Sequence, residues 1–171
     1  MNAEEKKDCL CLDNINSKDT IWGNELSRKL IGQAEIEIKI LDSKNGPLSI
    51  QSHPNSWEIW KILEVEPGAF IIGGLKEVYI TSNAEFYIHQ AKAIPGFCNI
   101  IFPKVNDMYL IPKGLIHALG QGIVALEIKP SINNETIRIY DWGRDREPQA
   151  IKYGTRWYDI CDQEKKIIKL T

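Results

Sequence analysis

The 171-residue sequence predicts an all-β fold, an antiparallel sandwich or barrel with one or two short helices. Short runs rich in Ile, Val and Tyr recur at intervals of roughly ten residues, the spacing of antiparallel all-β proteins. Clusters of Gly, Pro, Asn and Asp separate those runs, and these residues favour tight turns. Only one stretch carries a full helix-start signal. No internal repeat, low-complexity tract or compositional break divides the chain. Residues 1–171 are therefore expected to form one domain, with 1–20 as a polar N-terminal arm.

Ile21-Trp22-Gly23 leads into a short helix expected around Glu25 to Ile31, closed by Gly32. From Glu35 the pattern turns to period two, with Ile36, Ile38 and Ile40 alternating with Glu35, Glu37 and Lys39. Such alternation predicts a half-buried strand with its isoleucines facing inward. After the turn Asp42 to Pro47, strands are expected near Gln51, from Glu58 to about Val65, and from Ala69 to Ile72, where Gly73-Gly74 should stop the last. Ser82-Asn83-Ala84-Glu85 is a capping box, so a helix should run from there to about Ala93; His89 within it is left out of the site. Further strands are predicted at Asn99–Phe102, Met108–Ile111, Ile116–Ala118, Gly122–Ile128, Thr136–Tyr140, Arg156–Ile160 and Lys166–Leu170.

The composition is that of an ordinary globular protein, 43% hydrophobic and 26% charged, with net charge −2. That balance gives no basic surface for nucleic acid. No apolar run reaches membrane-spanning length, and residues 1–8 carry no signal-peptide core, so a cytoplasmic location is expected. Cys9, Cys11, Cys98 and Cys161 form no CxxC pair and read as reduced thiols.

The chemistry concentrates in Gln51-Ser52-His53-Pro54-Asn55-Ser56-Trp57-Glu58. An amide oxygen, an imidazole and a carboxylate are all ligands for a divalent metal. On a strand Gln51 and His53 share a face. Pro54 ends that strand, Asn55-Ser56 turn the chain, and a strand starting near Trp57 brings Glu58 back beside His53. Ile111-Pro112-Lys113-Gly114-Leu115-Ile116-His117 offers a fourth ligand, His117, three residues beyond a tight bend.

Gln51-x-His53-x4-Glu58 and Pro112-x-Gly114-x2-His117 resemble the two metal-binding motifs of the cupin superfamily. Leu48-Ser49-Ile50-Gln51-x-His53-Pro54 is similar to the signature of type I mannose-6-phosphate isomerases. The likeness takes in Trp22-Gly23, Lys39-Ile40-Leu41-Asp42, Glu58-x-Trp60, Glu127-Ile128 and Arg138-x-Tyr140-Asp141-Trp142-Gly143-Arg144, in order. It implies a cupin-type jelly-roll barrel, with Gln51, His53, Glu58 and His117 holding Zn2+ or another divalent metal. It also implies an enzyme that interconverts mannose 6-phosphate and fructose 6-phosphate through an enediol. Arg138 would act beside the reacting oxygens and Glu127 as proton carrier, with Trp22, Lys39 and Ser49 binding the substrate. A homodimer would be in keeping with cupin sheets.

The chain departs from the family at Ser56, where a lysine normally stands two residues before the metal-binding Glu. The loop from His53 to Glu58 is shorter than usual, as is the chain. Arg144, Lys129 and Arg146 offer cations for a phosphate, and each reads more simply as a solvated charge. Two other functions fit the motifs: a metal cupin acting on a different sugar, and a sugar-binding or regulatory cupin without turnover.

Overall fold

A computed structural model describes residues 36–77, 91–130, 135–144 and 165–170. Trp22, the arm, the helix expected around Glu25 to Ile31, His89, Cys9, Cys11, Cys161 and the strand expected at Arg156–Ile160 lie outside the described residues. So does most of the helix expected from Ser82, whose described end is a 3-10 turn, Ala91–Ala93. No helix among the described residues is long and apolar enough to cross a membrane.

Ten strands are described: β1 Ile36–Asp42, β2 Ile50–Ser52, β3 Glu58–Val65, β4 Ile71–Leu75, β5 Cys98–Ile101, β6 Met108–Ile111, β7 His117–Leu119, β8 Ile123–Pro130, β9 Ile137–Tyr140 and β10 Ile168–Leu170. One short helix, α1 Ile94–Phe97, sits before β5 and carries Pro in its first turn, where a missing N–H costs nothing. The strands form two antiparallel sheets ordered β1-β8-β3-β6-β10 and β5-β4-β7-β2-β9. Strands one to eight thus follow jelly-roll order, each passing to the other sheet except at the β4–β5 hairpin, with β9 and β10 added at the edges.

Turn chemistry sets the strand ends. Gly68 (φ +82°) closes the Glu66-Pro67-Gly68 turn, and the Ala69 N–H donates to the Glu66 carbonyl at 3.1 Å. Ser43 is fully buried; its hydroxyl donates to the Gly120 carbonyl at 2.7 Å and accepts from the Ile123 N–H at 3.0 Å, joining the β1–β2 connection to the start of β8.

Two expectations need correction. Gly73-Gly74 do not stop β4: the strand runs through them as a bulge, its pairing with β5 stepping from Ile72–Ile100 to Leu75–Cys98. The reason is steric. A Cβ on Gly73 would sit 2.9 Å from both Ile101 and Ile167, and Gly74 takes a φ of +85° that favours glycine.

The second correction concerns β1. Its isoleucines face outward, Ile40 being 50% exposed. The inner positions are Glu37, Lys39 and Leu41, paired with Lys129, Glu127 and Ala125 of β8. Directly paired residues share a face. The outer face carries its own apolar row, Ile38–Ile128–Ile59–Leu110–Ile168, across all five strands. Alternation identified the strand and its two faces, but which face meets the interior was set by the partners on β8.

The interior is apolar toward one end of the barrel. Trp60, Ile62, Ile71, Tyr109, Leu119, Ile123 and Ala125 pack there as one buried cluster. Along β3 the inward positions run Ile62, Trp60, Glu58, and along β8 they run Ile123, Ala125, Glu127, Lys129, all buried. Each strand therefore carries the interior from hydrocarbon to charge within a few residues.

Candidate metal centre

The charged end is built by three local features. β2 is only three residues long, ends at Ser52 and passes into the buried His53. Pro112-Lys113-Gly114-Leu115 turns tightly, with Gly114 at φ +77° and the Leu115 N–H on the Pro112 carbonyl at 3.2 Å. The Gly114 N–H then donates to the His53 carbonyl at 2.8 Å. This bond fastens the bend before His117 to the residue that carries the other imidazole.

Across the second sheet, Gln51 is paired with His117 on one side and Arg138 on the other, so all three share a row. The opposite sheet contributes Glu58, which is completely buried. Ligand atoms of His53, Glu58 and His117 all lie within 4.8 Å of one another, a group able to hold a metal ion. His53 Nε2 is 3.0 Å from Glu58 Oε1, and His117 Nε2 is 3.6 Å from Glu58 Oε2. The two imidazole rings are 5.1 Å apart, and Trp60 meets the His117 ring edge-on.

Protons on the far side of each ring decide what faces Glu58. His117 Nδ1 lies 2.8 Å from the Leu115 carbonyl, and His53 Nδ1 lies 3.1 Å from the Glu135 carbonyl. A carbonyl only accepts, so each Nδ1 carries a proton, and a neutral ring then turns its Nε2 lone pair inward, where at His53 the Gln51 amide N–H donates to it at 3.3 Å. Two such lone pairs against a carboxylate repel unless a cation or proton lies between them. His117 Nε2 is fully buried and has no hydrogen-bond partner among the described residues. The donor set of two imidazoles and one carboxylate suits a zinc-like ion. The site fits a divalent metal.

Gln51 is the nearest further donor. Its amide nitrogen is 3.3 Å from His53 Nε2, and the Ser49 hydroxyl donates to its oxygen at 3.1 Å. A half-turn of the amide would present the oxygen to an ion. Trp60 Nε1 donates to Glu58 Oε2 at 3.1 Å and fixes the carboxylate from behind.

Electrostatics separates the acids. Burial works against the Glu58 carboxylate, yet in acid, where the imidazoles are cationic, the hydrogen bond with His53 and the charges of His117, His53 and Lys129 outweigh it, holding its pKa at about 2. Burial, reinforced by the Glu58 charge, pushes Glu127 the other way, up to about 7. Burial also lowers His117 to about 4 against the attraction of Glu58. Neighbouring buried carboxyls whose pKa values are pushed apart are typical of acid–base sites.

Of the residues singled out in the sequence, Gln51, His53, Glu58 and His117 are brought together. Arg138 stands in the Gln51 row, and Ser49 touches Gln51. Lys39 is the ladder partner of Glu127 and pairs with Glu37 at 2.7 Å. Trp22 lies outside the described residues. Arg144 is bound to Asp141 and to the Pro47 carbonyl at 2.9 Å, where it ties the end of β9 to the β1–β2 connection. Lys129 is not the solvated charge it resembles in the sequence. It is 7% exposed, with Nζ 3.5 Å from Glu58 Oε1 and 3.3 Å from Glu127 Oε1. Burial disfavours its ammonium, but Glu127 and Glu58 prevail and raise its pKa above the ordinary lysine value. The signal was present in the alternation of β8, which puts Lys129 on the face of Glu127.

No protein-family model matches the chain. Among curated proteins it is 31% identical over 150 residues to the mannose-6-phosphate isomerase ManA of Bacillus subtilis, covering 72% of this chain and 43% of that protein. It is 30% identical over 139 residues to the mannose-6-phosphate isomerase of Streptococcus mutans, covering 68% of this chain and 41% of that one. The chain is a relative of the mannose-6-phosphate isomerases. It spans less than half the length of these two relatives. In fold it superposes on the crystal structure of the Bacillus subtilis mannose 6-phosphate isomerase with a TM-score of 0.62 at 24% identity, over 86% of this chain and 51% of the other. A mannose 6-phosphate isomerase bound with zinc and yttrium superposes with a TM-score of 0.60 at 13% identity, over 83% and 58%. The jelly roll of this isomerase relative is thus of cupin type.

Proposed function

We propose that the charged end of the barrel is the active site of a metal-dependent aldose–ketose isomerase interconverting mannose 6-phosphate and fructose 6-phosphate. The observation that carries the reading is the convergence of the His53 and His117 Nε2 atoms on the buried Glu58 carboxylate, in a chain related to mannose-6-phosphate isomerases. His53, Glu58, His117 and the Gln51 amide oxygen hold the ion, zinc in this reading. A bound divalent cation supplies Lewis-acid stabilisation of the oxygen anion that develops during the reaction.

The chain's own residues do the rest. Glu127 takes the proton from C2 of the aldose phosphate and returns it to C1, while the O2 proton passes to O1, so the atoms balance. A carboxyl held near pH 7 serves both steps, since it gives up and regains its proton easily. Arg138 directs a fixed, permanently charged donor fork at the same oxygens. Ser49 keeps Gln51 in register, and Lys39 with Trp22 binds the sugar phosphate.

The test is metal analysis of purified protein, then measurement of fructose 6-phosphate formation with and without chelator. Stoichiometric metal with chelator-sensitive turnover is expected. Glu127→Gln should retain the metal and lose about a hundredfold or more in kcat. Bound metal with no turnover of any hexose phosphate overturns the reading, and tight sugar-phosphate binding in that case establishes a sugar-binding cupin instead. The serine at position 56 makes that second outcome a specific alternative, because the segment leading into β3 then carries no lysine.

A further inference from the structure

Glu58 and Glu127 are both buried, lie on neighbouring strands and point into the same interior. Left alone, two such carboxylates would repel and turn apart, because little water is present to screen them. Lys129 stands between them. It follows Glu127 by two residues on β8 and so shares its face. It also lies one step beyond the Ile59–Ile128 pair, directly across from Glu58. Its Nζ reaches one oxygen of each acid, at 3.5 and 3.3 Å.

We propose that Lys129 is a positioning residue: its ammonium bridges Glu58 and Glu127 and keeps the Glu127 carboxylate turned toward the metal ligands. The segment leading into β3 brings no cation for this purpose. Ser56, two residues before Glu58, is buried and spends its hydroxyl on the Trp57 carbonyl at 3.2 Å. The charge arrives from the adjacent strand instead. With an ion drawing on Glu58, the Lys129–Glu127 contact remains and holds the acid in place. The kinetic consequence rests on the isomerase reading; the geometric one does not.

The zinc-loaded protein and its Lys129→Met, Lys129→Arg and Lys129→Met/Ser56→Lys variants decide the matter, through crystal structures, metal content and steady-state kinetics. Lys129→Met should bind one equivalent of zinc as before, since all ligands remain. Its Glu127 side chain should turn away from Glu58, and its kcat should fall about a hundredfold with KM little changed, as expected for a displaced reacting group. Lys129→Arg should restore both the Glu127 position and most of kcat, a rescue that mere space-filling does not give. The double variant should recover part of the loss, because a cation returns from the segment leading into β3. Glu127 unmoved in Lys129→Met overturns the proposal, whatever the rate. A wild-type protein that binds zinc without turnover overturns the isomerase reading alone, while the Glu127 position still decides the role of Lys129. If Lys129→Met does not fold, Lys129→Gln, which keeps a polar head without the charge, is read in the same way.

Discussion

The two ends of the barrel interior are lined by the same strands, yet they answer to different forces. At one end Ile62, Ile123, Leu119 and Tyr109 pack as hydrocarbon. At the other, Glu58, Glu127, Lys129, His53 and His117 are buried as charges and ligands. On β3 only Trp60 separates the regimes, its ring in the apolar cluster and its Nε1 on Glu58. The apolar end stabilises the fold through burial and close packing. The charged end is tolerable because each group has a counter-charge or a hydrogen bond, and it attains full compensation only with a cation among Glu58 and the two imidazoles.

The largest effect expected from breaking this contrast is at the charged end. His117→Ala removes one ligand and the orphaned Nε2 with it, so stoichiometric metal binding should be lost, together with any chelator-sensitive turnover. The metal content of the purified variant is the measurement, and a variant that keeps one equivalent of zinc contradicts the ligand set.

A matched cut at the apolar end should behave in the opposite way. Ile62→Ala leaves a cavity in the packed cluster and should cost about 2–5 kcal/mol of folding stability. Denaturant unfolding measures the cost. Metal stoichiometry at a temperature where the variant is folded should remain as in the parent, because no ligand rests on Ile62.

The subtlest difference is in pH dependence of the metal-free protein. His117 is lowered from 6.5 to about 4, so its contribution is present above pH 6.5 and is lost as pH falls toward 4. Glu127 is raised from 4.5 to about 7, so its contribution is present below pH 4.5 and is lost as pH rises through 7. Each is worth on the order of 3 kcal/mol, with opposite sign, over nearly the same window. Stability of the parent in chelator should therefore be nearly flat between pH 7 and 4.5. Below that it should fall, as Glu58 begins to take up its proton on the way to pH 2. Glu127→Gln removes one of the two opposing terms, and its stability should decline steadily from pH 6.5 to 4. A flat profile for that variant contradicts the burial of His117 as a neutral imidazole.

Much of this architecture is legible from local pattern. β3 and β6 start and stop at the residues where alternation and turn signals put them. The tight bend at Pro112 to Gly114 was visible because Pro and Gly restrict backbone angles through their own covalent structure. The strand through Gly73-Gly74 was not, because glycine serves equally to end a strand or to let a neighbour approach closely. Only the presence of Ile101 and Ile167 against Gly73 distinguishes the two. The inversion of β1 has the same origin. Ile36, Ile38 and Ile40 make a hydrophobic stripe whichever side it faces, and pairing with Glu127 and Lys129 turned the other face inward.

By itself the sequence determined that the chain alternates in strands, and that Gln51, His53 and Glu58, side-chain types suited to a metal, stand close together around one turn. Those are properties of side-chain chemistry and short-range geometry, written within a few residues of one another. The tertiary structure alone decided that Lys129 lies between two buried acids, and that Glu127 and His117 are pushed in opposite directions by burial. Charges act across space and not along the chain, so residues on neighbouring strands acquire their roles only when the sheets close around them.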